Sequence, residues 1–184
     1  MAQNAPACYR NQIVHNAIVD SANACYGFGV ARNPREFELK VLYTARASST
    51  GGRTGTAATD DGRVTLSLST PRELGGDGGP GTNPEQLFAL GYSACFLGAL
   101  KSAGRKQGIR IAEDATVTAT VSFLDREDGV GFSIAAALEI RADGVEPHIL
   151  EELVQKAHLI CPYSHLITQR HDVALGVAVG AVAA

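Results

Sequence analysis

The sequence predicts an α+β domain in which mostly antiparallel sheets surround one buried central helix. Three observations lead there. Segments of alternating apolar and polar residues at Lys40–Arg46, Val64–Leu68, Ala115–Phe123 and Phe132–Arg141 are joined by short turn signals, which suit hairpins rather than the long crossovers of parallel strands. Asn83–Gly108 reads as one long helix whose middle is apolar almost all round. Pro147–His158 reads as a second helix, with Leu150, Leu153, Val154 and Ala157 at core spacing. The chain of 184 residues, 45% hydrophobic and 19% charged, is long and apolar enough to bury a sizeable core.

The elements follow in order. Residues 1–38 carry Cys8, Cys25 and three arginines by Arg35 but no sustained period, so they are expected to form a poorly ordered extension to a domain spanning 39–184. From Lys40, Val41, Tyr43 and Ala45 alternate against Leu42, Thr44 and Arg46 as a strand, and Gly51-Gly52 supplies a turn. Asp61-Gly62, between Gly55–Thr59 and the alternating Val64, Leu66 and Leu68, signals a type I′ hairpin. Ser69–Thr82, with five glycines in Gly75–Gly81 and two prolines, is a loop. The long helix begins with Asn83 as N-cap, Pro84 at the first helical position and Gln86 in capping-box position. It ends with Lys101, Arg105 and Lys106 near the negative pole of the dipole and Gly108 as a stop. Ala115–Phe123 and Phe132–Arg141 make a second hairpin across the Asp125–Gly131 turn. The second helix ends before Cys161-Pro162, because proline disfavours helix for its predecessor, and Asp172–Val179 supplies a last strand.

Charge and hydropathy exclude several function classes. A net charge of −3, with no basic patch beyond the short Lys101–Arg110 stretch, argues against nucleic acid. The longest apolar run, Val173–Ala184, falls short of the ~20 residues needed to span a bilayer, so no membrane role is expected. The N-terminus lacks the charged start and apolar core of a secretory signal, and four cysteines are too sparse for a disulfide scaffold, which suits the reducing cytoplasm. Gly76-x-Gly78-x-x-Gly81 spells a dinucleotide fingerprint, yet no parallel βαβ unit surrounds it, and flexible backbone leading into a helix is the better reading. His158, Cys161, His165 and His171 make a zinc site conceivable, but no C-x-x-C pair accompanies them and no metal or cofactor is expected.

Cys95 lies mid-helix, where an isolated cysteine is ordinarily core filler. The case changes because Cys161 ends the second helix, Glu85 opens the first and Arg53 sits in the Gly51-Gly52-Arg53 turn. A thiol redox site needs such parts: a thiolate, a guanidinium that stabilises it, a carboxylate that orients the guanidinium, and a second thiol that resolves the oxidised product. Glu85 and Cys95 are ten residues apart, ~15 Å along one straight helix, so one arginine cannot readily contact both. Either the helix is interrupted, or the two residues of one site come from different chains. The all-round apolar character of Leu87–Leu100 favours an obligate partner, hence a homodimer with shared sites.

Gly81-Thr82-Asn83-Pro84-Glu85-Gln86-Leu87-Phe88, then Gly91-Tyr92-Ser93-Ala94-Cys95-Phe96, and later Cys161-Pro162-Tyr163-Ser164 closely resemble the organic hydroperoxide resistance (Ohr) branch of the OsmC/Ohr family. Leu42-Tyr43-Thr44-Ala45, Gly51-Gly52-Arg53 and Glu73-Leu74-Gly75-Gly76 are similar to the same family, and the resemblance runs from Lys40 to Val179. Thr54 where the family often has Asp, Leu90 in place of a commoner small residue, and residues 1–38 depart from it.

The resemblance implies a thiol peroxidase, folded as an intertwined homodimer, that reduces organic hydroperoxides and protects against oxidative stress. It implies Cys95 as the peroxide-attacking cysteine, Cys161 as the resolving cysteine, and Arg53 and Glu85 as the pair that activates the first thiol. It further implies a Cys95–Cys161 disulfide reopened by a dihydrolipoyl dithiol on lipoylated proteins. Phe88 and Phe96 are expected to line an apolar substrate pocket, whereas Leu97 is expected to be plain core and Cys8 and Cys25 bystanders. The alternatives are an OsmC-branch peroxidase with a different substrate preference, or a non-catalytic thiol- or metal-binding protein using Cys161, His158 and His165.

Overall fold

The computed structural model describes residues 40–169, 173 and 175. Val41–Gln169 form one compact unit, outside which Met1–Lys40 and Arg170–Ala184 fall. The expectations for residues 1–38, including Cys8 and Cys25, and for the last strand at Asp172–Val179 lie outside the described residues, Val173 and Leu175 excepted.

Three short strands, β1 (Ala47–Thr50), β2 (Thr56–Thr59) and β3 (Thr65–Ser67), make an antiparallel sheet in that order. The expected strand at Lys40–Arg46 is displaced: residues 41–46 are exposed and pair with no strand among the described residues, and pairing starts where the Arg46 carbonyl accepts the Asp60 N–H at 3.1 Å. Alternation alone could not reveal this, because a strand forms only where a second backbone answers its hydrogen bonds. The β2–β3 hairpin forms, but with a four-residue connection rather than a two-residue type I′ turn. Thr59 and Val64 close it at 3.0 Å, and the Asp61 carboxylate accepts from the Thr59 hydroxyl and the Arg63 N–H, an Asx turn that competes with the tighter one.

Glycines 76 and 81 are not loose backbone. A Cβ on Gly76 would lie 2.1 Å from the Thr70 carbonyl oxygen, and one on Gly81 would lie 2.6 Å from the Leu68 backbone. The loop is folded tightly on itself, and this close approach accounts for the fingerprint-like spacing.

Helix α1 (Pro84–Lys106) runs uninterrupted for 23 residues. The Asn83 side chain accepts the Gln86 N–H at 2.9 Å, as its N-cap role requires, while the Gln86 side chain takes the Thr82 hydroxyl at 2.8 Å instead of closing a capping box. Only one stripe is buried: Tyr92, Phe96, Ala99, Leu100, Ala103 and Gly104, at helical spacing. The opposite stripe of Leu90, Ala94 and Gly98 is exposed. Burial on most sides, as expected from composition, therefore does not occur within one chain. By length and composition alone α1 could cross a bilayer, a property that scanning for unbroken apolar runs missed; its Tyr92, Phe96 and Leu100 are instead packed into the protein core.

Strands β4 (Thr116–Asp125) and β5 (Phe132–Arg141) pair antiparallel in full register, from Thr116 with Arg141 to Asp125 with Phe132. On one face Val117, Ala119, Leu138 and Ile140 pack against the core. The same face continues into Ile134 and Ala136, which are exposed. Helix α2 (Pro147–Ile160) seals the core through Leu153 and Ala157, both fully buried. Helix α3 (Pro162–Thr168) had no counterpart in the sequence reading. Pro162, whose ring ends α2, also occupies the first position of α3, so the proline that stops one helix starts the next.

Candidate active site

Four residues singled out from sequence fall into two pairs. Arg53 projects from the 3₁₀ turn Gly52–Thr54, which the left-handed Gly51 and Gly52 (φ 70° and 59°) allow the chain to make. Gly55 is equally required there, because a Cβ would sit 1.8 Å from the Thr50 carbonyl oxygen. The guanidinium meets Glu85 in the first turn of α1: Nη1 donates to Oε2 at 3.0 Å and Nη2 to Oε1, a bidentate fork. This hydrogen bonding holds the Glu85 carboxyl below the usual carboxylate range and pushes the Arg53 pKa up. Arg53 also lies over the Phe123 ring, 5.2 Å from its centroid, and Phe123 stacks on Phe132 at 4.6 Å.

The second pair is Cys95 and Cys161, whose Sγ atoms stand 3.5 Å apart, with both thiols free. Cys95 is half-buried on α1; Cys161 is fully buried in the one-residue link between α2 and α3. Burial pushes the Cys95 thiol up, the Tyr163 backbone N–H pulls it down, and the Cys161 thiol beside it adds a further upward push. A thiol in that state is mostly protonated at neutral pH, so what one chain provides is a poised sulfur pair rather than an activated thiolate.

The unbroken α1 removes the first of the two geometric alternatives, because Glu85 and Cys95 lie on one straight helix ~15 Å apart along its axis. Arg53 is bound to Glu85 at one end of that span. Within the chain the two pairs remain separate.

The expected substrate-pocket residues divide. Phe96 is 1% exposed and belongs to the core, so it cannot line an open pocket; its edge-on contact with Tyr92 fills the interior instead. Phe88 is half-buried beside Tyr92 and Tyr163, with ring centroids 6.0 and 5.8 Å away. Leu97 packs against the core, as expected. A cavity of about 480 Å³ does open beside Arg53, with Leu74, Phe123 and Phe132 as its apolar wall and Thr70, Glu73 and Asp125 as its polar one. Among the described residues, no three His, Cys, Asp or Glu side chains are grouped so as to hold a metal ion.

Tyr92, Tyr163 and Ser164 lie within the motif segments, but nothing in the sequence assigns them a role. Tyr163 lies across α1 where Gly91 leaves room: a Cβ there would be 2.7 Å from the Tyr163 hydroxyl. The Tyr92 and Ser164 hydroxyls meet at 3.0 Å in the interior. Their signal was their position, three residues before Cys95 and three after Cys161.

Comparison with known proteins identifies the family of the chain. The sequence pattern of the OsmC-like protein family matches residues 75–176. An organic hydroperoxide resistance protein of Xanthomonas axonopodis pv. citri is 46% identical over 139 residues, covering 76% of this chain and 96% of that protein. A solved organic hydroperoxide resistance protein from Legionella pneumophila is 45% identical, with a TM-score of 0.65 over 70% of this chain and 91% of that one. A Vibrio cholerae structure described as an organic hydroperoxide resistance protein, with a molecule of captopril bound in one of the active sites, is 38% identical, with a TM-score of 0.65 over 72% of this chain and 90% of that one. With the family pattern spanning more than half of the chain and relatives this similar over three quarters of it, the protein belongs to the OsmC/Ohr family, in its organic hydroperoxide resistance branch.

Proposed function

We propose that this protein is a cysteine-based peroxidase that reduces organic hydroperoxides to alcohols and so protects the cell against oxidative stress. The observation that carries the proposal is the 3.5 Å approach of Cys95 Sγ to Cys161 Sγ. The Cys95 thiolate attacks the terminal oxygen of the hydroperoxide; the O–O bond breaks, the alkoxide takes up a proton and leaves as alcohol, and the sulfur becomes a sulfenic acid. The Cys161 thiol then displaces water, forming a Cys95–Cys161 disulfide that guards Cys95 from further oxidation. An external dithiol, the dihydrolipoyl group of a lipoylated protein, restores both thiols by two exchanges and leaves as its own disulfide. No further cofactor is required, and the cytoplasm, where such dithiols stay reduced, is the fitting compartment.

Activation of Cys95 comes from a second copy of the chain. In the isolated chain burial and Cys161 push the Cys95 thiol up and the guanidinium sits at the far end of α1, while Leu90, Ala94 and Gly98 and the Ile134–Ala136 end of the β4–β5 face remain uncovered. A homodimer that covers these surfaces and brings one chain's Arg53–Glu85 pair to the other's sulfur pair accounts for both facts. The Vibrio protein, with captopril in one of several active sites, is in keeping with more than one site per assembly, and captopril is itself a thiol. The cavity beside Arg53 has an apolar wall of Leu74, Phe123 and Phe132 facing the polar Thr70, Glu73 and Asp125, and that wall suits an alkyl or lipid tail better than hydrogen peroxide.

The test is turnover of tert-butyl or cumene hydroperoxide with dihydrolipoate as electron donor. Activity should vanish in Cys95→Ser, fall at least ~10²-fold in Arg53→Ala, and in Cys161→Ser stop after one turnover at a trappable sulfenic acid. A Cys95→Ser protein as active as the parent would end the proposal.

A further inference from the structure

We infer that the Tyr92–Ser164 hydrogen bond is a positioning device that holds the first turn of α3 against α1 so that Cys161 stays within reach of Cys95. The inference rests on the reading of Cys95 and Cys161 as a redox pair. Ser164 is the fully buried polar residue of the described interior, Tyr92 is 5% exposed, and their oxygens lie 3.0 Å apart. Tyr92 stands three residues before Cys95, the spacing that makes two side chains neighbours on a helix surface. Ser164 stands three residues after Cys161, in the first turn of α3. The bond therefore joins the two segments that carry the sulfurs, across 72 residues of sequence.

Core cohesion alone does not call for such a bond. Two buried hydroxyls replaced together by apolar groups of similar shape are nearly neutral for stability, whereas losing one partner strands the other. A hydrogen bond adds what apolar contact lacks, a preferred direction, and here that direction sets the rotation of α3 about its own axis. Formation of the disulfide from sulfenic acid and thiol releases water and requires the two sulfurs to close from 3.5 Å to bonding distance. A wandering α3 lowers the effective concentration of the Cys161 thiol at Cys95 without unfolding anything.

Tyr92→Phe, Ser164→Ala and the double variant test this in the full-length chain. The oxidised fraction of the Cys95–Cys161 pair is measured at equilibrium in dithiothreitol buffers, by differential alkylation and peptide mapping, alongside the thermal midpoint. Each variant should lose roughly tenfold in disulfide equilibrium constant, about 30 mV for this two-electron couple. The double variant should recover the thermal stability that the single variants lose, yet not the disulfide equilibrium. An unchanged equilibrium in the double variant, or one that recovers together with thermal stability, would overturn the positioning role. If the parent closes the disulfide and turns over hydroperoxide while the variants match it, positioning alone fails; if the parent cannot form the disulfide even with diamide as oxidant, the redox-pair reading fails and takes positioning with it.

Discussion

Replacing Leu90 by Glu separates what one chain does from what two do. Leu90 is 66% exposed on the open stripe of α1, and glutamate is as good a helix former, so the folded chain itself should tolerate the change. In a dimer that covers this stripe, the new carboxylate would be desolvated without a partner, at a cost of several kcal/mol. Since ~1.4 kcal/mol is tenfold in affinity, a cost of ~4 kcal/mol weakens dimerisation about a thousandfold. The monomer would retain a Cys95 thiol that burial and Cys161 hold above its ordinary value. A guanidinium delivered by a partner chain stabilises the thiolate and pulls that value back down. Alkylation of Cys95 by iodoacetamide at pH 7 should therefore slow by about tenfold or more in Leu90→Glu, its pH midpoint moving up, while sedimentation velocity reports a monomer. A monomeric Leu90→Glu protein that keeps the parent's rate and midpoint would refute activation in trans.

Three further changes probe the scaffold. Gly55→Ala places a Cβ against the Thr50 carbonyl, so the turn holding Arg53 must open; about 1–3 kcal/mol should be lost in urea unfolding, with the Arg53–Glu85 fork displaced. Glu85 titrates below the usual carboxylate range because Arg53 hydrogen-bonds to its charged form, so its contribution is fully present above ~4.3 and lost as pH falls through the lower folded value. Glu85→Gln should accordingly flatten the acid limb of the stability curve, by about 1 kcal/mol or less because the Arg53 side chain is 35% exposed and screened; identical acid limbs would count against the fork. Leu153→Ala empties a site with no exposure and should cost ~2–5 kcal/mol by chemical denaturation, whereas a loss under 1 kcal/mol would mean that α2 is not the core seal described above.

The chain's local chemistry was legible residue by residue. Asn83, Pro84 and the basic last turn set the ends of α1; the 3.6 spacing of Leu150, Leu153, Val154 and Ala157 set α2; the alternation of Val117, Ala119, Val121 and Phe123 set β4. These signals act over one or two turns, so sequence carries them directly. The motif words around Arg53, Glu85, Cys95 and Cys161 likewise singled out the four side chains that the fold gathers into two pairs. Tertiary structure decided what depends on a distant neighbour. Residues 41–46 alternate like a strand but find no second backbone among the described residues, and Phe96 looks like a pocket aromatic until α1 is seen to turn it inward. Helix α1, apolar almost all round its middle, buries only the stripe that faces the core packed by β4 and α2. The Cys95–Cys161 approach and the Tyr92–Ser164 bond cross 66 and 72 residues of chain. No local pattern encodes a distance between such segments; packing of the helices that carry them does.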